Sequence, residues 1–370
     1  MRGLVSTLVK TTGFRAGGPL IGLDIGTSSI KAVQLKRAGQ GYRVAAFARE
    51  PLLPGVLGDD GVRDPEGVSA AIRRVLERTG VRSANIAAAL PGKSAIVKRI
   101  TLPAMTSAEL DAAIMWEAEQ HIPFALSDVQ LHYEALGTAG DGARNMDVLL
   151  VAARRESVAA LVAVIADAGH TAKVVDIGAL ALRNAYTANR VGGRGLTVAL
   201  LDVGASATTV TIVVDREPVF VRQVTLGGQA YTEAMQAALD LSFEAAEEMK
   251  TRATPGEPAG AEMEPMLHAT TGALVGEIRS TLDFFRAATG AERIDRLFVC
   301  GGGSLIAGLL DALRQRLDIA TVPFDPFRLL GGAPKNVTAG GDWRRYGARP
   351  LTKGRPSRPP INAAVHWPSW

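Results

Sequence analysis

The sequence predicts an α/β protein of two related halves facing each other across a cleft, with a small module inserted in the first half. Three observations carry this expectation. Residues 20–35 (LIGLDIGTSSIKAVQL) repeat in residues 198–213 (VALLDVGASATTVTIV), where Leu23, Asp24, Gly26 and Ser28 match Leu201, Asp202, Gly204 and Ser206. Between the copies lies a block whose strand-like and helix-like stretches follow the order β-α-β-β-α-β. A third glycine cluster, Gly301-Gly302-Gly303-Ser304, closes a strand-like run at 294–300.

Taken in order, residues 1–18 form an N-terminal segment, and the first half occupies 19–94 and 169–197. Each repeat runs from an apolar strand through a Gly/Ser turn into a second β-branched strand, the glycine permitting the reversal. The inserted subdomain spans 95–168. Within it 95–102 (AIVKRITL) alternates like a strand, and Thr106-Ser107-Ala108-Glu109 is a capping-box pattern that starts a helix running to about His121, before Pro123. Strands are expected at 129–136 and 146–153 around a Gly-rich reversal, then a helix at 156–168 and a strand at 172–177. The second half covers 198–332. It has a Gly227-Gly228 turn, a helical stretch from Tyr231 to Arg252, a break at 253–262, a long helix at 264–288 and a helix at 305–317. Residues 333–370, rich in Gly, Pro and Arg without periodicity, read as a disordered tail.

Composition narrows the function classes. A hydrophobic fraction of 47% in 370 residues supports two domain-sized cores. Cys300 is the single cysteine, which excludes an internal disulfide framework and fits a reducing compartment. No apolar run reaches the length of a membrane span, and the start MRGLVSTLVKTTGFRAGG lacks the continuous apolar core of a secretory signal. Arg344, Arg345, Arg349, Lys353, Arg355 and Arg358 against Asp342 place +5 in the tail of a chain whose net charge is +4, so residues 1–341 stand at −1. The body therefore has no nucleic-acid footprint. The five histidines lack metal-ligand spacing.

Neither a GxxxxGK[ST] loop nor a GxGxxG helix start occurs. What the first hairpin offers is a row of backbone N–H groups with the hydroxyls of Thr27, Ser28 and Ser29, a concave turn that can cradle phosphate oxygens. The second offers Gly204, Ala205 and Ser206. Asp24 and Asp202, one per half, are hard oxygen ligands suited to a hydrated Mg²⁺, and Lys31 can approach phosphates as a point charge. A single Asp-x-Gly at a strand end is an ordinary tight turn. Two copies in register, plus a glycine turn whose backbone lets a flat base come close, make a nucleotide site.

At these motifs the chain resembles the actin-like superfamily of actin, sugar kinases, heat-shock chaperones and FtsA. That resemblance implies a duplicated, ribonuclease-H-like two-domain fold. It implies phosphate binding by 23–31 and by 202–209, with Gly228 in the following turn, and contact with adenosine by Gly301, Gly302, Gly303 and Ser304. Ala246-Glu247-Glu248-Met249-Lys250 resembles the A-E-x-x-K helix, which assigns Glu247 and Lys250 to ribose and base. Asp176, in VVDIGALAL, stands where relatives carry a carboxylate that orients water or metal; apolar connector residues mark a hinge equally well. Within the superfamily, GLDIGTSSIKAVQL, LPGKSAIVKRITLPAMTSAEL…WEAEQHIPF and EIRSTLDFF resemble the PilM family of type IV pilus assembly proteins over about 18–330. The PilM resemblance implies an FtsA-like inserted subdomain, ATP with Mg²⁺ in the cleft, and docking of the N-terminal cytoplasmic peptide of a PilN-type membrane protein. It also implies other pilus-assembly partners and a cytoplasmic protein recruited to the inner membrane through its partner. Trp116, Ile122 and Phe124 are candidates to line the peptide groove, with core packing as the competing fate of each.

PilM-like sequences close with an apolar helix that returns to the first domain. Here the sequence after about Gly332 looks like an out-of-frame continuation, which predicts uncovered apolar surface at about 1.5–3 kcal/mol per large side chain. Two other functions stay open from the residues: a small-molecule kinase, which needs a general base beside an acceptor pocket, and an FtsA-like division protein, which needs a C-terminal amphipathic helix.

Overall fold

The computed structural model describes residues 20–328 except 40, 59–60, 82–84, 139–143, 190–194, 253–262 and 291–292. The expectations for 1–18, for the break at 253–262 and for the tail at 333–370 lie outside the described residues.

The first half opens with a three-stranded meander, β1 (Leu20–Ile25), β2 (Ser29–Ala38) and β3 (Gly41–Pro51), followed by a short ribbon of β4 (Leu57–Gly58) and β5 (Gly61–Val62). Helix α1 (Pro65–Thr79) comes next. Its start is set by Asp64, whose carboxylate accepts from the Gly67 N–H, and its end by Gly80 at φ 72°. Strand β6 (Asn85–Leu90) then enters the sheet beside β1.

After β6 come β7 (Ala95–Pro103), α2 (Ser107–Glu119), β8 (Val129–Thr138), β9 (Asn145–Arg154), α3 (Arg155–Asp167), β10 (Thr171–Ile177) and the connector helix α4 (Gly178–Ala188). The capping box forms as expected: the Thr106 hydroxyl accepts from the Glu109 N–H, and the Glu109 carboxylate accepts from the Thr106 N–H. The second half comprises β11 (Thr197–Val203), β12 (Thr208–Val214), β13 (Glu217–Val224), α5 (Gly228–Leu239), α6 (Phe243–Arg252), α7 (Glu264–Thr289), β14 (Arg296–Cys300), α8 (Leu309–Leu317) and β15 (Thr321–Pro323). The helical stretch expected from Tyr231 to Arg252 is two helices, because Asp240 takes a left-handed conformation at φ 52° and ends the first.

The repeat is visible in the sheets. The first has the order β10-β6-β1-β2-β3 and the second begins β15-β14-β11-β12-β13, the same sequence of parallel and antiparallel neighbours in both. The second sheet continues through β7, β9 and β8, joined to β13 at the pair Phe220↔Lys98. The block between the repeats is thus not one β-α-β-β-α-β module. Only β7, β8, β9 and α2 form a separate layer, whereas β10 pairs with β6 and α3 packs into the first core through Val158, Leu161, Val164 and Ile165. Sequence order names the elements but not the sheet edge each joins. Strand β9 explains its own apolar run: Val148, Leu150 and Ala152 face the α2 layer, while Leu149, Val151 and Ala153 face the first core.

Helix α4 and the segment after β15 both tie the halves. Helix α4 packs Leu182, Ala185 and Tyr186 against Val198, Leu200 and Val213 on the back of the second sheet. Beyond β15 the chain turns back so that Phe327 meets Phe47 edge-on at 6.2 Å, on the outer face of the first sheet. Asn189, at the end of α4, donates to the Pro326 carbonyl at 2.9 Å.

Candidate functional site

The two repeat turns are built alike. In the first the Gly26 N–H donates to the Ser29 carbonyl at 3.2 Å; in the second the Gly204 N–H donates to the Ala207 carbonyl at 2.9 Å. Each turn follows a strand whose penultimate residue is the aspartate, Asp24 in β1 and Asp202 in β11. The turns meet: Thr27 Oγ1 donates to Ser206 Oγ at 3.2 Å, across 179 residues of chain. The sequence-predicted Thr27 and Ser206 are therefore neighbours, and Gly26 and Gly204 lie in the turns behind them.

The side chains around the first turn divide into two groups. Ser28 is exposed at the tip, its carbonyl accepting from the Leu52 N–H at 3.0 Å. Ser29 is fully buried and its hydroxyl accepts from Arg49 Nε at 3.1 Å, so it braces β2 against β3. Lys31 is also buried, at 3% exposure, and stands opposite Asp24 in the ladder with Nζ 3.0 Å from Oδ2. Its charge reaches the turn as half of an ion pair, not as a lone cation. A Cβ added at Gly26 would press on that ammonium and on the Ser29 carbonyl, both at 3.3 Å.

The second turn is clamped from behind. The Gly228 and Gln229 N–H groups, at the start of α5, donate to the carbonyls of Gly204 at 2.9 Å and Ala205 at 2.7 Å. That approach requires glycine at 227, because a Cβ there would lie 2.6 Å from both carbonyls. Gly227 was absent from the sequence-predicted set, in which Gly228 stood; a Cβ at Gly228 would meet only ordinary contacts, the nearest at 3.7 Å. The doubled glycine was the signal that could have found it.

The third turn wraps Asp202. Gly301, at φ 87°, has no room for a Cβ, which would collide with the Val203 carbonyl and with Asp202 Oδ1, and Gly303 is tight against Val203 as well. Ser304 is buried, with its hydroxyl donating to the Gly301 carbonyl at 2.6 Å, so it stiffens the turn. Burial and the neighbouring Asp202 charge push the Cys300 thiol well above its ordinary range. Gly303 Cα and Lys250 Nζ both lie within 4 Å of the Cβ position at Gly228. The second hairpin, the α5 start, the A-E-x-x-K helix and the glycine turn thus converge.

On α6, Glu247 and Lys250 are one turn apart and paired at 2.5 Å. Lys250 Nζ also donates to the Gly228 carbonyl at 3.0 Å and to Thr232 Oγ1 at 2.7 Å, and Thr232 Oγ1 donates to Glu247 Oε2 at 2.7 Å. Thr232 was not among the sequence-predicted residues; it sits on a different helix, and nothing local in GGQAYT marks it. Asp176 is buried near the end of β10, its Oδ1 accepting from the Ile177 N–H at 2.8 Å at the entry to α4. That places it at the connector.

Of the groove candidates, Ile122 is core, Phe124 is half-buried beneath the Arg154 guanidinium at 4.5 Å, and Trp116 is 66% exposed on α2 beside exposed Met115. No described helix is long and apolar enough to cross a membrane.

The donor set fits a nucleotide with magnesium: backbone amides in two neighbouring turns for phosphates and a carboxylate behind each turn for the cation. Comparison with known proteins shows the family and the fold. The family model described as type IV pilus assembly protein PilM matches residues 22–337. Among solved structures, a chain of a PilM–PilN type IV pilus biogenesis complex is 28% identical, with a TM-score of 0.76 over 86% of this chain and 92% of that one. The ethanolamine utilization protein EutJ from Carboxydothermus hydrogenoformans is 16% identical, with a TM-score of 0.52 over 82% of this chain and 83% of that one. The fold is the actin-like one, which implies nucleotide binding.

Proposed function

The chain belongs to the family of the type IV pilus assembly protein PilM, and from that membership we propose that it is an ATP-binding scaffold of a pilus-assembly machine. Its role is to dock the N-terminal cytoplasmic peptide of a PilN-type membrane protein, which recruits it, with other assembly components, to the cytoplasmic face of the inner membrane. The observation that carries the nucleotide part is the meeting of the two repeat turns at Thr27 and Ser206. A ligand able to join two amide-lined turns, each backed by an aspartate, is a polyphosphate with a divalent cation. The similarity to a chain from a PilM–PilN type IV pilus biogenesis complex supports the partner part.

When bound, ATP·Mg²⁺ supplies the negative charge that both turns are shaped to receive. The amides of residues 27–28 and 205–206 would hold phosphate oxygens, Asp24 and Asp202 would hold the hydrated cation, and Glu247 with the 301–304 turn would hold the nucleoside. Binding at both turns restrains the angle between the halves. Because the inserted layer touches the first core through β9 and the second sheet through β13, that angle also sets the shape of the surface around it. The inserted sheet is filled on both faces, by α2 on one and by the first core on the other, which suits a docking module better than a kinase acceptor chamber.

The test is a titration of ATP·Mg²⁺ into the purified protein, followed by binding of a PilN-type N-terminal peptide with and without nucleotide. Saturable ATP binding and a nucleotide-dependent peptide affinity are expected. Rapid turnover stimulated by a sugar or acid would replace this reading with a kinase.

A further inference from the structure

We infer that Thr232 is a positioning residue for nucleoside recognition, holding Glu247 in place by means of a Lys250 ammonium that is itself fully engaged within the protein. The inference rests on the nucleotide reading above.

An ammonium has three N–H donors. Those of Lys250 have three acceptors: the Gly228 carbonyl at 3.0 Å, Thr232 Oγ1 at 2.7 Å and Glu247 Oε2 at 2.5 Å. Its side chain is only 10% exposed. To donate to a base or ribose, Lys250 would have to surrender one of these bonds inside a largely desolvated site, which costs more than the new bond returns. Its role is therefore to shape the site, in contrast to the direct ligand role implied by resemblance.

Thr232 completes the arrangement. It is fully buried, and its hydroxyl accepts from Lys250 while giving its single proton to Glu247 Oε2 at 2.7 Å. The Gly228 carbonyl, at 3.5 Å, is the weaker claimant for that proton. Glu247 Oε2 is thus fixed by two donors, one charged and one neutral, so the rotamer of the carboxylate is set before any ligand arrives. Oε1 takes no part in these bonds, and the Glu247 side chain is 40% exposed. An acceptor oxygen locked at the edge of a cleft suits the vicinal hydroxyls of a ribose.

The experiment compares wild type, Thr232→Val and Thr232→Ser for affinity toward ATP·Mg²⁺ and toward inorganic tripolyphosphate·Mg²⁺. Thr232→Val is expected to weaken ATP by about tenfold or more, to leave tripolyphosphate within about twofold, and to be rescued for ATP by Thr232→Ser. Adding Glu247→Gln to Thr232→Val should weaken ATP no further than Glu247→Gln alone. If Thr232→Val does not fold, Thr232→Ala serves in its place. Unchanged ATP affinity in Thr232→Val, an equal loss for both ligands, or no rescue by serine overturns the inference. A wild-type protein that binds tripolyphosphate but shows no preference for ATP overturns it too. Absence of binding of either ligand to wild type would instead remove the nucleotide reading beneath it.

Discussion

Thr27 and Ser206 share a hydrogen bond of 3.2 Å although 179 residues separate them, and each occupies the tip of one copy of the internal repeat. The bond joins the two halves of the molecule. In a double-mutant cycle, Thr27→Ala and Ser206→Ala should show a coupling of about 0.5–1.5 kcal/mol in urea unfolding. Strict additivity would mean that the bond does not hold the halves together in solution.

The Asp24–Lys31 pair should be costly to break from one side. Lys31 is buried, and the two side chains are 4% and 12% exposed at 3.0 Å separation. Asp24→Ala leaves a desolvated ammonium and is expected to destabilise by about 3 kcal/mol or more. The double change Asp24→Ala with Lys31→Met should recover part of that loss. Chemical denaturation of the three variants reads the difference.

Gly227 and Gly228 should respond very differently to a methyl group. Gly227→Ala places Cβ 2.6 Å from two backbone carbonyls that cannot move without unseating the second turn. A loss of roughly 2 kcal/mol or more is expected. Gly228→Ala, with contacts from 3.7 Å outward, should stay close to wild type in thermal melting.

Magnesium should matter through Asp202. At a ligand concentration about 100 times Kd, ATP adds about 2.7 kcal/mol of stability. Chelation of the metal should remove much of that increment in wild type and little in Asp202→Ala. An ATP-induced shift in melting temperature that ignores chelator in both proteins would argue against a bridging cation.

Glu217 supplies a pH signature. Burial pushes its carboxyl above the usual range, against the opposing pull of Arg183 and Arg99, and the charge of Glu217 likewise helps burial raise Glu134. A raised folded-state value means that the protonated form is favoured by folding, so its stabilising contribution is present at low pH and lost as pH rises through the shifted value. Glu217→Gln should therefore melt higher than wild type at neutral pH, with the difference closing as pH falls toward the ordinary glutamate range. A gap that widens on acidification would reverse the assignment.

Much of the site was legible in sequence because its turns are local. A strand, Asp-x-Gly and a second strand specify a hairpin within a dozen residues, and the repeat itself signalled that two would exist. The order of elements from 95 to 177 was also readable, since the capping box at Thr106 and the apolar run of β9 are local signals. Partner choice was not. Lys31 looked like a cation for phosphate until the β1–β2 register set it against Asp24, and Ser29 looked like a ligand hydroxyl until β3 brought Arg49 to it. Helix α3, expected in the inserted subdomain, packs into the first core instead, and β7 reached the edge of the second sheet.

By itself, then, the sequence determined the chemistry on offer: two matched aspartate turns, a glycine cluster, and a Glu–Lys pair one helical turn apart. Only the tertiary structure decided which groups spend their hydrogen bonds on the protein and which face the cleft. Backbone preference and side-chain period act over a few residues, whereas a buried ammonium or hydroxyl takes whatever acceptor packing brings within 3 Å or so. For Lys250 that acceptor is Thr232, eighteen residues away on another helix.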